Sequence, residues 1–558
     1  MATRDRDIAV VGIRENFKFL TLEVGKLVED TQRALLDPRE SLHPKIAARD
    51  DYVDNLKSMI ENKCFRLLAD EDLDKAAINL IRAVNVATIN LERIADFAVN
   101  ILGQLAHIRD LDVLHSFDAD PFFAEVLSAL EVAEDALFQR DMSKALELCR
   151  AEVEVDELYE AVFRQIMDRL RAGHGPEDLV TSLFIYRYLE RAGDSLLNIG
   201  EAAIFAILGE RLRINEFQAL QESLANADLD LDLADAELES AWETRSGSRV
   251  GMVHKAGKDG RSVVFKEGRT KKVLEEKLAL ERWEQLEPGL PPRVFSYHDH
   301  GPKASLLLEY LRGDTLQRIL LDTSPRIGAG AQGLLLETIG RVWSRTIERQ
   351  PCAPRFMRQI NKRLADVLKI HPEFQTPTKR IGTLEISSLE ALLARAESLD
   401  AELVAPFKVL IHGDFNTDNV IVNAPQHRVH LIDLHRSRPF DYLQDVSVFI
   451  ISNFRIKIFD PTLRRRLDQS SRSMFRFARA FAREHDDPSF HARLALGLAR
   501  SLLTSTRFEA DPAFSWTLAA RARYLLERLL AFRAESGSAP LDARGWSSFA
   551  FDEATLYV

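Results

Sequence analysis

The sequence predicts a multidomain chain, with an all-α first part built as tandem helical bundles and an α+β bilobal second part. Three observations carry this. Before about residue 225 apolar residues recur at spacings of three and four, as in Leu56, Met59, Ile60 and in Phe123, Val126, Leu127, Leu130, with little proline. The stretch LERIADFAVNI at 91–101 returns as LERAGDSLLNI at 189–199. After about 240, short β-branched runs come in pairs around turns, and one pair flanks the polar loop HGDFNTDN at 412–419.

A chain of 558 residues is too long for one core. No run approaches the roughly 20 uninterrupted apolar residues of a membrane span. The opening MATRDRDIAVVGIREN lacks the apolar centre of a signal peptide. Cys64, Cys149 and Cys352 are sparse, odd in number and without metal-finger spacing, as in a reducing compartment. A cytoplasmic protein is expected. The net charge of -12 argues against broad binding to nucleic acid, while leaving room for a local basic pocket.

The pattern places a helical domain with two internal repeats at 1–225 and an acidic linker at 226–240. A small-sheet lobe follows at 241–311, then a helical lobe with an embedded hairpin at 312–558. Within the small lobe, SRVGMVHKAGKDGRSVVFKEG reads as two strands around a Gly-Lys-Asp-Gly turn. Residues 270–286 read as a helix, and RVFSYHDHGPKASLLLEYL as two more strands.

The repeat carries carboxylates in pairs four residues apart: Glu92 with Asp96, and Glu190 with Asp194. Upstream, Asp50 with Asp54 and Glu152 with Asp156 follow the same spacing, which puts both acids of a pair on one helix face. Like charges so placed repel by a few tenths of a kcal/mol on an isolated helix. An oxygen-ligated cation would offset that repulsion, and facing acidic helices are how bundles build carboxylate metal sites. The plainer reading is solvated acids paired with Arg93 and Arg191. Both copies of the motif, in order, resemble the PhoU-like phosphate-signalling proteins over about residues 10–220. The resemblance implies tandem three-helix bundles, metal roles for Glu92, Asp96, Glu190 and Asp194, and weaker candidacy for the four upstream acids. It leaves a divalent, iron or zinc ion open, because Phe97 and Ser195 stand where the family often has histidine. It also implies a phosphate-transport or signalling protein as partner.

Phosphoryl transfer needs a carboxylate to orient the attacking hydroxyl and oxygen ligands for magnesium on the phosphates. Asp414 supplies the first, and Asn419 and Asp433 the second, with His412 bracing the loop. Lys266, at the end of the apolar run 263–265, could reach phosphates or merely be solvated. Its carboxylate partner on the following helix is Glu276 in preference to Glu275. Glu309 to Leu311 fits a hinge offering backbone hydrogen bonds to a purine, or a plain core strand. Ser246-Gly247-Ser248 is a candidate phosphate loop or a turn, and no full P-loop signature is present.

HGDFNTDN followed by LIDLHRSRPFDYLQD is similar to the aminoglycoside and choline phosphotransferase superfamily over about 240–530. That implies a protein-kinase-like fold, ATP with magnesium, Asp414 as base and Asn419 and Asp433 on the metal. It implies a small-molecule hydroxyl acceptor: a sugar, an amino alcohol or an aminoglycoside-like compound. Asp441 and Asp445 match an acidic pair that buttresses the site or contacts a cationic acceptor, though a helix N-terminus also favours acids. The competing class is a non-catalytic phosphate-signalling adaptor whose second half only binds nucleotide. A protein kinase fits less well, since the Asp-Phe-Gly and Ala-Pro-Glu landmarks are missing. Homodimerisation is left open.

Overall fold

The computed structural model describes residues 3–37, 43–69, 73–173, 175–210, 212–225, 227, 236–243, 249–255, 262–537 and 545–550. They group into two compact units, Met1–Glu267 and Gly268–Val558.

In the first unit, α1 (Thr3–Leu36), α2 (His43–Leu68) and α3 (Lys75–Leu105) form one three-helix bundle. The short α4 (Leu111–His115) leads to a second bundle of α5 (Asp120–Phe138), α6 (Met142–Arg171) and α7 (Pro176–Leu208), followed by α8 (Ile214–Ala225). Local chemistry sets the ends. Asp74 caps α3 by accepting the Ala77 N–H at 2.7 Å, Asp141 caps α6, and Pro176 opens α7. Gly209, at φ 80°, closes α7.

The three-and-four spacing buries Phe17, Val24, Val53, Ile60 and Leu91 in the first bundle and Phe122, Leu148, Val155, Ile185 and Leu196 in the second. The repeated motif lies on α3 and α7, which pack along each other. Gly200 lets α7 approach α6: a Cβ there would come within 2.5 Å of the Cys149 sulfur and 2.9 Å of the Ala145 carbonyl. Cys64 and Cys149 are buried, and desolvation pushes both thiols up to about 12.

Strands β1 (Ala236–Glu243), β2 (Arg249–Lys255) and β3 (Ser262–Arg269) form an antiparallel meander. The sequence places an acidic linker at 226–240, yet β1 begins inside it. In AELESAWE, acids alternate with apolar residues, a period of two that suits a strand despite the charge. Ser246-Gly247-Ser248 and the Gly-Lys-Asp-Gly turn lie outside the described residues.

The second unit opens with α9 (Thr270–Leu286), then β4 (Val294–His300) antiparallel to β5 (Lys303–Glu309), then β6 (Asp314–Thr315). Helices α10 (Leu316–Asp322), α11 (Pro325–Thr346) and α12 (Phe356–Ile370) follow, with a small hairpin of β7 (Lys379–Ile381) and β8 (Leu384–Ile386), and α13 (Leu389–Glu402). Next come β9 (Val409–Ile411), β10 (Val420–Asn423), β11 (Arg428–Leu431) and β12 (Arg438–Phe440). The chain ends in α14 (Leu443–Phe454), α15 (Pro461–Glu484), α16 (Phe490–Ser505) and α17 (Pro512–Glu535).

Two strand pairings place the site. β10 pairs with both β11 and β6, and β12 turns back onto β9. The loop leaving β9 and the loop leaving β11 are thereby held side by side. Gly313, at φ 142°, lets the segment entering β6 pass the hairpin, since a Cβ would sit 2.5 Å from the Val422 carbonyl. Beneath them an aromatic cluster of Trp343, Phe407, Tyr442 and Phe481 is buried, as is Cys352. Among the described residues no helix is long and apolar enough to cross a membrane.

Candidate active site

The loop after β9 is held from below. The Asp445 carboxylate, buried at the start of α14, accepts the N–H of His412 at 2.6 Å and of Gly413 at 2.8 Å. Gln444 donates to the Gly413 carbonyl at 3.2 Å. Gly413 has φ 88°, and a Cβ there would collide with the Arg436 carbonyl, so the turn requires glycine. His412 is fully buried against Phe415, and its Nδ1 accepts the Asp414 N–H at 3.3 Å. Burial pushes the ring down to about 4, against the pull of Asp414 and Asp433, so it is neutral. Such a ring is packed under the loop and sealed from solvent.

Asp414 projects from this turn. Its Oδ1 accepts Asn416 Nδ2 at 2.9 Å and its Oδ2 accepts Arg436 Nη1 at 2.9 Å. Asn419 donates its Nδ2 to the Asp414 carbonyl at 2.8 Å, which leaves its side-chain oxygen as the metal-competent atom. The two loops are tied by the Ile432 N–H, which donates to the Asn419 carbonyl at 3.1 Å. Asp433 follows in the left-handed region at φ 61°, a conformation that aspartate tolerates better than most residues. His435 Nδ1 lies 3.1 Å from Asp433 Oδ1. Ligand atoms of Glu276, Asp433 and His435 all lie within 4.8 Å of one another. Glu276 is the buried member of the pair considered on α9, and Glu275 is exposed. Amide and carboxylate oxygens around phosphate suit magnesium, so the donor set fits that ion.

Asp414, His412, Asn419, Asp433 and Glu276 therefore come together. Glu309 ends β5 and uses its N–H on the Arg293 carbonyl at 2.8 Å, so it can offer a purine only its carbonyl; Leu311 is half-buried two residues on. Lys266 is buried on β3, opposite Val250 of β2. Asp441 does not face a ligand. It is fully buried on Arg493, which also pairs with Asp487, and Tyr442 donates to Asp487 at 2.7 Å. Buried there, Asp441 is turned to Arg493 and to the Leu443 N–H at the start of α14, and not to solvent. Sequence reasoning missed His435, Arg436 and Arg500. The first two stand two and three residues after Asp433 in LIDLHR, while Arg500 arrives from α16.

In the helical unit, the acids assemble as two quartets. Burial, then Asp96, Asp54, Asp51 and Glu92, pushes Asp50 up to about 6. Asp96 is raised by burial, Glu92 and Asp54. The second quartet repeats this: Glu152 is raised by burial, Asp156, Asp194 and Glu190, and Asp156 by burial and Asp194. Partial neutralisation is local. Lys57 pairs with Glu92 at 2.8 Å, and Arg191 with Asp194 at 3.2 Å. Among the described residues, no three acids of a quartet bring ligand atoms within 4.8 Å of one another.

Comparison with known proteins agrees with this division. The PhoU domain model matches residues 20–104 and 122–203, and the phosphotransferase enzyme family model matches 253–485. The phosphate-specific transport system accessory protein PhoU homolog of Caulobacter vibrioides is 30% identical over 210 residues, covering 36% of this chain and 90% of that protein. The chain belongs to the PhoU family, with a phosphotransferase-family domain in its C-terminal half. The PhoU homolog of Clostridium acetobutylicum is 29% identical over 204 residues, covering 35% of this chain and 92% of the relative. The solved aminoglycoside-3'-phosphotransferase of type VIII overlaps 49% of this chain and 94% of its own, at 21% identity and a TM-score of 0.32. The chain is thus multidomain, all-helical in its PhoU half and mixed α/β in its phosphotransferase half.

Proposed function

We propose that the C-terminal half moves the γ-phosphoryl group of ATP to a hydroxyl of a small molecule, and that the PhoU half is a metal-binding regulatory module in phosphate signalling. The convergence of Asp414, Asn419 and Asp433 on adjoining loops supports the first part. Asp414 takes the proton of the acceptor hydroxyl. The hydroxyl oxygen bonds to the γ-phosphorus as the bond from that phosphorus to the bridging oxygen breaks, and ADP leaves. Magnesium, when bound, would neutralise charge on the phosphate oxygens, with Asn419 and Asp433 as its holders, Glu276 near enough to join them and His435 orienting Asp433. Arg436, bonded to the base, is placed to meet charge developing on the transferred group. Lys266 would reach the phosphates, and the Glu309–Leu311 segment would hold the base.

The PhoU-named relatives belong to phosphate-specific transport systems. By that likeness the helical half would work in the cytoplasm on a phosphate-transport or signalling partner, with Glu92, Asp96, Glu190 and Asp194 at its metal sites.

One observation favours the adaptor reading: both carboxylate oxygens of Asp414 already accept hydrogen bonds. Each oxygen keeps a second lone pair, so the base remains competent. ATP consumption across an acceptor library tests the choice. Asp414→Asn should cut turnover by about 10²–10⁴-fold with the fold intact. A wild-type chain that transfers phosphate to nothing would make the domain an adaptor.

A further inference from the structure

The wall beside Asp414 is built of arginines from four separate segments. Arg436 and Arg438 flank the turn into β12, Arg500 comes from α16, Arg507 from the 3-10 turn Thr506–Phe508, and Arg363 from α12. Arg507 stands seven residues after Arg500, in the 3-10 turn that continues α16. α12 packs against both α16 and that turn. The guanidinium of Arg500 interacts electrostatically with Asp414, Arg436, Asp445 and Arg438, and that of Arg507 with Arg363, Arg436, Asp366 and Asp414. Arg500 lies 5.7 Å from the centre of the Phe356 ring, with Nε and Nη2 buried and without hydrogen-bond partners.

The groups that act most strongly on Arg500 and Arg507 do not balance: with those two, five guanidinium groups meet three carboxylates, Asp366, Asp414 and Asp445. Each carboxylate is already engaged: Asp366 lies 3.6 Å from Arg363, Asp414 holds Arg436 and Asp445 holds two backbone N–H groups. Desolvation holds Arg500 down at about 10 against the pull of Asp414, and desolvation followed by crowding from Arg363 and Arg436 holds Arg507 below the usual arginine range. This excess stands in a chain of net charge -12, at the one carboxylate that must meet the acceptor.

Resting on the phosphotransferase reading, we infer that the acceptor is an anion: a hydroxyl compound carrying a phosphate or carboxylate group, gripped by Arg500 and Arg507 while its hydroxyl faces Asp414. Guanidinium forks match such groups in a bidentate geometry, and the unpartnered Arg500 nitrogens supply one. A polycationic acceptor would be repelled by the same wall.

Titration calorimetry of the full chain with glucose 6-phosphate, glucuronate, glucose and glucosamine tests this, since the four share a pyranose ring and differ chiefly in charge. At least one of the two anions should bind tenfold or more tightly than glucose, with glucosamine weakest, and the stronger anion tells phosphate from carboxylate. Arg507→Gln, in a half-exposed turn, should erase the preference tenfold without moving the melting temperature. The KM for ATP is the control: a role on the donor phosphates would raise it. Equal binding of all four, a preference for glucosamine, heat from neither anion, unchanged anion affinity in R507Q, or a loss that falls on ATP would each overturn the assignment. Anion binding without transfer from ATP would remove the phosphotransferase reading and leave the anion site standing. Transfer to a neutral or cationic compound would do the reverse.

Discussion

Asp445 holds Gly413 by its backbone N–H at 2.8 Å, from the first turn of the helix beneath the loop. The same carboxylate takes the N–H of His412 at 2.6 Å, so one buried side chain sets two consecutive peptides ahead of the base. Burial raises its carboxyl to about 7, against the opposing pull of those two N–H groups.

Replacing Asp445 by alanine should leave two buried N–H groups without acceptors, at about 1–3 kcal/mol each. Denaturant unfolding should show a loss of about 3 kcal/mol or more, and turnover should fall at least a hundredfold as Asp414 loses its seat. Asp445→Asn keeps one acceptor oxygen and should lie between. An alanine variant as stable as wild type would show that the loop is held elsewhere.

Gly413→Ala adds only a methyl group, yet the turn has φ 88° and no room beside the Arg436 carbonyl. Strain of this kind costs of order 1–3 kcal/mol before the clash is counted. Activity should vanish while α-helical circular dichroism is kept. Gly333→Ala, on α11 with nothing within 4 Å of its Cβ position, should be harmless and is the matched control.

Asp400 gives a pH signature away from the active loops. It is buried, accepts the Met357 N–H at 2.9 Å, and desolvation raises its carboxyl from 3.8 to about 6. Between those values the native chain keeps a proton that the unfolded chain has lost. Its contribution to stability therefore falls as pH rises from about 4 to about 6 and stays low above. Asp400→Asn should gain stability at pH 8, by up to about 3 kcal/mol for a shift of two units, and little at pH 4. Paired melts at the two pH values decide it; equal effects at both would show that charge burial is not the cause.

The acidic quartets should respond oppositely with and without metal. In chelator-treated protein, Asp96→Asn relieves repulsion from Glu92 and Asp54 and should raise the melting temperature. With manganese or zinc added, wild type should gain more than the variant. If added ions shift neither protein, Glu92, Asp96, Glu190 and Asp194 have no metal role.

The sequence made the local chemistry legible and the assembled chemistry not. HGDFNTDN could be read because its working groups are consecutive, and the helical bundles because their cores follow the helical period. β1 escaped because its glutamates suggested solvent where the alternation marked a strand. Asp441 stayed ambiguous because its partner Arg493 lies 52 residues on, and only packing brings them together. The arginine wall escaped for the same reason: Arg363, Arg436, Arg500 and Arg507 each look like an ordinary solvated base until the helices are laid side by side.

The three buried sulfurs fall one to each structural piece: Cys64 in the first bundle, Cys149 in the second and Cys352 in the phosphotransferase half. A folded molecule is therefore silent to alkylating reagents, and each thiol becomes reactive only when its own neighbourhood opens. Mass spectrometry of the alkylated peptides over time would then rank the breathing of the three pieces inside one intact molecule, with no label or mutation introduced.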